Sequence, residues 1–173
     1  MVDILIRQAI EKDIESIQMI YNQGIEDRIA TLETETKDYS FMKDWFDRHN
    51  GRYQVIVAEV EGQILGWASL NPYNNRAAYL GVADLSLYIS RESRGKGIGG
   101  KLLKAIQTLA KENDFHKIVL FTFPFNELGQ GLYRKQGFRE VGVFKNQGIL
   151  DGQFVDVMAM EKLLTMSKRG VLI

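Results

Sequence analysis

The run Arg91-Glu92-Ser93-Arg94-Gly95-Lys96-Gly97-Ile98-Gly99-Gly100 constrains this chain more than any other stretch, because it joins a strand-like segment to a long amphipathic one. Glycines in a strand-to-helix turn let the backbone come close to a ligand. The helix N-terminus beyond them offers unpaired N–H groups at the positive end of its dipole. Such a turn can cradle a phosphate or pyrophosphate. The plainer alternative is a tight turn with a solvated basic rim from Arg91, Arg94 and Lys96.

The segments around the turn alternate in period. Ile4 and Ile6 point to a short strand, and Asp13 is placed to cap a helix with Ile14, Ile17, Ile20, Tyr21 and Ile25 on one face. A second helix is expected from about Asp38, with Tyr39, Met42, Trp45, Phe46 and His49 at helical spacing and Asn50-Gly51 as its stop. Gln54–Val60 and Ile64–Leu70 read as a hairpin across Glu61-Gly62-Gln63, Asn71 to Arg76 as loop, and Ala83–Ile89 as a strand. Beyond the glycine turn come a helix with Leu102, Leu103, Ile106, Leu109 and Ala110, and a strand Ile118–Phe123 ended by Pro124. A short helix from Asn126 to Gln136-Gly137 follows, then two strands around Glu140–Phe144 and Phe154–Met160, separated by Asp151-Gly152. The order βααβββαβαββ describes a mixed α/β chain, expected as one domain over residues 1–163 with a C-terminal tail at 164–173.

Composition removes several kinds of chemistry. The 22 Lys and Arg balance 22 Asp and Glu, so no global field attracts nucleic acid or an anionic membrane. There is no Cys, hence no thiolate nucleophile and no cysteine metal site, and His49 and His116 are far apart, so no metal is expected. The first residues carry no basic region followed by a sustained apolar run, which leads us to expect a soluble, cytoplasmic protein.

Three motifs compete for the turn. Gly95-x-Gly97-x-x-Gly100 fits a dinucleotide fingerprint, yet the next strand ends in Phe123-Pro124 where a Rossmann unit needs an acidic residue. Gly95-x-x-x-x-Gly100-Lys101 is followed by Leu102 where a P-loop needs a hydroxyl for magnesium. Arg94-x-x-Gly97-x-Gly99 is similar to the pyrophosphate loop of the GNAT family of acetyl-CoA-dependent N-acetyltransferases. Asn126 and Leu132-Tyr133-Arg134-Lys135-Gln136-Gly137-Phe138 resemble that family's second signature. The resemblance extends over about residues 3 to 163 and implies the GNAT fold, a mixed, mostly antiparallel sheet flanked by helices.

A narrower resemblance lies within the family. Arg76-Ala77-Ala78-Tyr79, Asp84-Leu85-Ser86-Leu87-Tyr88-Ile89, Tyr21-Asn22 and Ala30-Thr31-Leu32-Glu33 are similar to segments of phosphinothricin-type acetyltransferases. Gly66–Leu70 and Leu150–Val157 resemble the branch associated with resistance to arsinothricin.

The resemblance implies acetyl-CoA as donor and, as acceptor, a small-molecule amine carrying an acidic group. Leu87, Tyr88 and Ile89 would pair with the pantetheine arm, with one N–H as oxyanion donor. The backbone of Arg94, Gly95, Lys96, Gly97, Ile98 and Gly99 would hold the pyrophosphate, and Asn126 the pantetheine side. Tyr133 stands at the general-acid position, a phenol being protonated at neutral pH. Asp84 stands where phosphinothricin-type enzymes have a glutamate as general base, one methylene longer. Arg76 with Tyr79 reads as an anion clamp, since a guanidinium binds a carboxylate or phosphinate in a fork. Thr31 and Glu33 would line the acceptor side. A homodimer is expected, as related enzymes pair through their sheets. Acetylation of another small amine or of a protein N-terminus, and a non-catalytic acyl-CoA sensor, are the competing readings. Trp45 and Phe46 are expected in the core or on a dimer surface, and Phe121, Phe123 and Phe125 at a buried strand end.

Overall fold

A computed structural model describes residues 2–164. Its elements are β1 (Leu5–Gln8), α1 (Ile14–Glu26), α2 (Tyr39–Arg48), β2 (Val55–Val60), β3 (Gln63–Pro72), β4 (Val82–Ile89), α3 (Ile98–Glu112), β5 (Lys117–Thr122), α4 (Glu127–Lys135), β6 (Arg139–Leu150) and β7 (Gln153–Leu163). This is the order that periodicity predicts. The seven strands form one sheet in the order β1-β2-β3-β4-β5-β7-β6, antiparallel except for β4 beside β5.

Both faces of the sheet centre are covered, which explains the unbroken apolar run Val55-Ile56-Val57-Ala58. Successive side chains point to opposite faces. Val55, Val57 and Trp67 pack with Ile14, Ile17, Ile20 and Met42 of α1 and α2. Ile56, Ala58, Ala68, Leu70 and Leu85 pack with Leu102, Leu103, Ile106 and Ala110 of α3. Trp45 and Phe46 are half-buried against the α1–α2 cluster.

Several expectations change. Asp13 precedes α1 but makes no helix-cap hydrogen bond. Its buried carboxylate instead takes Arg7 at 2.7 Å and the Ile10 N–H at 2.8 Å. Burial alone would raise Asp13, and these partners outweigh it, leaving its carboxyl below the usual range. Asp38 does cap α2, accepting from the Phe41 N–H at 2.8 Å. Asn71 and Pro72 belong to β3 rather than to the loop, because they stay in register with Asp84 and Ala83 of β4. The last two strands are much longer than their apolar runs. The polar stretch Lys145-Asn146-Gln147 is absorbed as an irregularity, with Asn146 at φ +51°, before pairing resumes at Gly148. Phe123 is buried, but Phe121 and Phe125 are exposed: Phe121 lines the cavity described below, Phe125 stacks on Phe123, and neither fills the strand end. Leu164, first residue of the expected tail, is buried and its N–H donates to the His116 carbonyl at 2.8 Å; Thr165 to Ile173 lie outside the described residues. Among the described residues no helix is long and apolar enough to cross a membrane.

Candidate active site

The one parallel pairing is short. Among the described residues β4 and β5 pair only over Val82–Asp84 against Lys117–Val119, after which β5 continues beside β7 while β4 has no partner on that side. The sheet therefore splits at Asp84, and a cavity of about 830 Å³ occupies the split. Its walls include Asp84 to Ile89 of β4, Phe121 to Phe123 at the end of β5, the turn before α3, and Asn126 and Tyr133. An open strand edge presents N–H and C=O groups to whatever extended chain lies in the split.

The glycine turn closes one end. Gly95 and Gly97 take φ of +75° and +85°, and Gly97 is the N-cap of α3, a conformation that a side chain would strain. The first intrahelical bond runs from the Lys101 N–H to the Gly97 carbonyl, so the N–H groups of Ile98, Gly99 and Gly100 remain for a ligand. Gly99 also lets α3 approach α4: a Cβ there would lie 2.9 Å from Leu132.

The basic rim is less free than the sequence suggests. Arg94 donates to Asp27 at 2.6 Å and to the Ile89 carbonyl at 3.3 Å, and Arg91 holds Asp27 at 2.8 Å and Glu26 at 3.2 Å. Asp27, its carboxyl lowered chiefly by Arg91 and further by Arg94, thus ties the turn to the end of α1. Lys96 is exposed and does not line the cavity. The signal for Asp27 was present in Glu26-Asp27, two acids at a helix C-terminus, where the dipole disfavours them unless cations answer.

The other end is assembled from side chains. Asp84 sits at the apex of the split, half-buried, and burial pushes its carboxyl up to about 6 although Asn71 pulls the other way. Asn71, directly across in β3, donates to Asp84 at 3.3 Å and to Ser86 at 3.0 Å, and His49 Nε2 lies 2.7 Å from its Oδ1. Tyr133 lines the cavity with its ring edge-on to Phe138, and burial pushes its hydroxyl up to about 12. Asn126 caps α4, accepting from the Gly129 N–H at 3.1 Å and donating to Thr122 at 3.2 Å.

Thr31 and Leu32 of the α1–α2 connection and Gln147 of β6 complete the wall. They are brought together by the hairpin tip, where Asp151 meets Arg28 at 3.1 Å and Gly148 comes so close that an added Cβ would fall 2.7 Å from Leu32. Tyr88 stacks on Trp67, centroids 4.9 Å apart, and Tyr21 meets both edge-on. Three expected acceptor residues lie outside the cavity wall. Glu33 pairs with Lys37 at 2.7 Å, and Arg76 and Tyr79 are exposed on the β3–β4 connection, Tyr79 against Tyr73. That connection leaves the sheet at Pro72 and returns at Val82, beside Asp84. Asn71, Asp27 and Gln147 were not singled out from sequence, and His49 was read only as a residue at the end of the second helix. Asn71 could have been reached only by knowing the β3–β4 register across a long loop. Among the described residues no group of three or more His, Asp or Glu could hold a metal.

Residues 14–138 match the Acetyltransferase (GNAT) family. An L-methionine sulfoximine/L-methionine sulfone acetyltransferase of Pseudomonas aeruginosa is 30% identical, over 90% of this chain and 92% of the relative. A ribosomal-protein-alanine N-acetyltransferase structure from Brucella melitensis superposes with TM-score 0.90 at 33% identity, covering 92% of this chain and 99% of that one. A phosphinothricin acetyltransferase structure from Sinorhizobium meliloti, in complex with acetyl-CoA, gives TM-score 0.89 at 29% identity, covering 97% and 95%. With the split sheet, the open β4 edge and the glycine cradle in place, the chain belongs to the GNAT family and is an acetyl-CoA-dependent N-acetyltransferase.

Proposed function

We propose that this enzyme acetylates the α-amine of a small amino-acid analogue with a distal acidic group, of the phosphinothricin, methionine sulfoximine or arsinothricin type, and so confers resistance to it. The observation that carries the reading is the apex of the split. A carboxylate raised to about 6 faces the same cavity as an unpaired strand edge and a protonated phenol.

In this reading the N–H groups from Gly97 to Gly100 receive the pyrophosphate, and the free edge of Leu87, Tyr88 and Ile89 receives the pantetheine arm. Arg94, held by Asp27, keeps the turn in shape. An ammonium has no lone pair, so Asp84, ionised above about pH 6, takes the proton from the acceptor amine directly or through one water. As the C–N bond forms, a β4 N–H donates to the developing oxyanion. Tyr133 gives its proton to the departing sulfur as the C–S bond breaks. Thr31 lines the acceptor end, and Arg76 with Tyr79, exposed on the β3–β4 connection outside the cavity wall, would meet the acceptor's distal acid where that connection returns beside Asp84. Asp84 is shorter than the family's glutamate, but Asn71 holds it at the apex.

Acetylation of a protein N-terminus is less well supported, despite the similarity to the Brucella melitensis enzyme. The Arg28–Asp151 contact and the packing of Leu32 on Gly148 hold the last hairpin against the α1–α2 connection at the acceptor end, which favours a small acceptor over an extended peptide. CoA release measured over acidic amino-acid analogues, polyamines and alanine-starting peptides tests the reading. The acidic analogues are expected to give the highest kcat/KM. Faster turnover of peptides would refute it, and no turnover on any amine would favour an acyl-CoA sensor.

A further inference from the structure

The side-chain amide of Asn71 makes four polar contacts, which engage both lone pairs and both N–H groups. Its Oδ1 accepts from Ser69 Oγ at 3.0 Å and faces His49 Nε2 at 2.7 Å. Its Nδ2 donates to Ser86 Oγ at 3.0 Å and to Asp84 Oδ2 at 3.3 Å. The other ring nitrogen of His49, Nδ1, faces the Trp45 carbonyl at 2.8 Å. An amide oxygen and a carbonyl can only accept, so a ring that satisfies both donates from both nitrogens and carries a positive charge. Two neighbours favour that charge. His49 closes α2, where free carbonyls put the negative end of the dipole, and its ring lies against Trp45 with centroids 4.4 Å apart.

Turning the Asn71 amide over gives the alternative. Nδ2 would then donate to a neutral His49, and Oδ1 would face Asp84, which could answer it only by being protonated. Each arrangement holds one proton between His49 and Asp84. They differ in whether Asp84 is free to accept another. An ionised Asp84 with a neutral His49 leaves an acceptor facing an acceptor in either orientation, and such a mismatch is costly away from bulk water.

We propose that His49 is a positioning residue for acetyl transfer: by donating from Nε2 it fixes the Asn71 amide with Nδ2 towards Asp84, and so keeps Asp84 ionised and aimed into the cavity. The proposal rests on the reading of Asp84 as the base. Other titratable groups near the network are the hydroxyls of Tyr88 on β4 and Tyr133 on α4; on α2, Asp47 is paired with Lys43 at 2.7 Å and Arg48 is exposed. Among the described residues none of these makes a hydrogen bond to His49, Asn71 or Asp84. Burial pushes the Asp84 carboxyl up to about 6, and the hydrogen bond from Asn71 is the contact that opposes it.

The chain has two histidines, so His116→Gln leaves His49 as the only imidazole for ¹⁵N NMR. Both ring nitrogens are expected to carry a proton, as their two acceptor partners require, and Asp84→Asn is expected to shift the ring towards one proton. A ring with one proton, indifferent to Asp84→Asn, would overturn the proposal. In kinetics, His49→Phe is expected to lower kcat about tenfold, a fraction of the roughly 10²–10⁴-fold supplied by a positioned base, with KM for acetyl-CoA unchanged. His49→Gln keeps an N–H donor for Asn71 and is expected to recover most of the loss. Equal losses in both variants, with a raised KM for acetyl-CoA, would reduce His49 to packing and refute the positioning role. Full kcat in Asp84→Asn would remove Asp84 as the base, while the NMR response would still report the shared proton, so the two failures are separable.

Discussion

The two ends of the cavity are built from different materials. At the glycine turn the groups available to a ligand are backbone N–H groups, presented by consecutive residues whose dihedral angles are set by Gly95 and Gly97. At the Asp84 end they are side chains from β4, β6 and the α1–α2 connection, backed by Asn71 of β3 and His49 after α2 and meeting through hydrogen bonds and one hairpin contact. A backbone cradle suits a ligand portion that never changes, since no side-chain substitution alters an N–H. A wall of side chains can be retuned one residue at a time. In the proposed reading the donor end therefore marks the family, and the acceptor end carries the choice of amine.

Substitutions that strike one end and spare the other test this division. The largest effect is expected from Asp84→Asn, which should cut kcat/KM roughly 10²–10⁴-fold at pH 7.5 and lose less at high pH, where the acceptor amine is already neutral. Loss by the same factor at every pH would show that Asp84 is not the base. The same change should stabilise the fold. Burial raises Asp84 from 3.8 to about 6, so the stability it contributes is complete below its ordinary value and is lost as pH rises through about 6. Thermal unfolding at pH 7.5 should show Asp84→Asn more stable by about 1–3 kcal/mol, with no gain near pH 4.

Tyr133→Phe should follow, lowering kcat roughly 10–100-fold with both KM values unchanged, as expected for a proton donated only as the C–S bond breaks. Unchanged kcat would remove Tyr133 from the reaction. Asp27→Ala attacks the opposite end. By releasing Arg91 and Arg94 it should raise KM for acetyl-CoA about fivefold and leave kcat alone, because the charge-assisted contacts that tie the turn to the end of α1 are lost. An unchanged KM would mean that the glycines hold the turn unaided. Arg76→Ala should have the smallest effect, at most about fivefold on KM for an acidic acceptor, since an ion pair open to water is worth about 1 kcal/mol or less. A shift in KM for acetyl-CoA instead would move Arg76 to the donor end.

The same division decides what could be read beforehand. Gly95, Gly97, Gly99 and the helix after them act within a few residues of one another, so their spacing carried their geometry. Asp38 likewise caps α2 through a contact three residues away. Asp13 has the same residue type and position, yet Arg7 and the Ile10 N–H claimed its carboxylate first, a competition visible only when β1 and the start of α1 are set side by side. The last hairpin outran its hydrophobic pattern because pairing resumed beyond a polar irregularity at Lys145–Gln147. Arg76 and Tyr79 carry a recognisable pattern, but the β3–β4 connection holds them outside the cavity wall.

By itself, then, the amino-acid sequence determined the order of the elements and the glycine-opened helix terminus proposed to receive a diphosphate. Each of these depends on periodicity or on dihedral preferences confined to neighbouring residues. The tertiary structure alone decided that β4 and β5 part at Asp84, that Asn71 stands between Asp84 and His49, and that Asp27 rather than an anion answers Arg91 and Arg94. Those facts follow from strand register and from charges brought together over dozens of residues. Burial and pairing energies of that kind exist only once the chain has closed on itself.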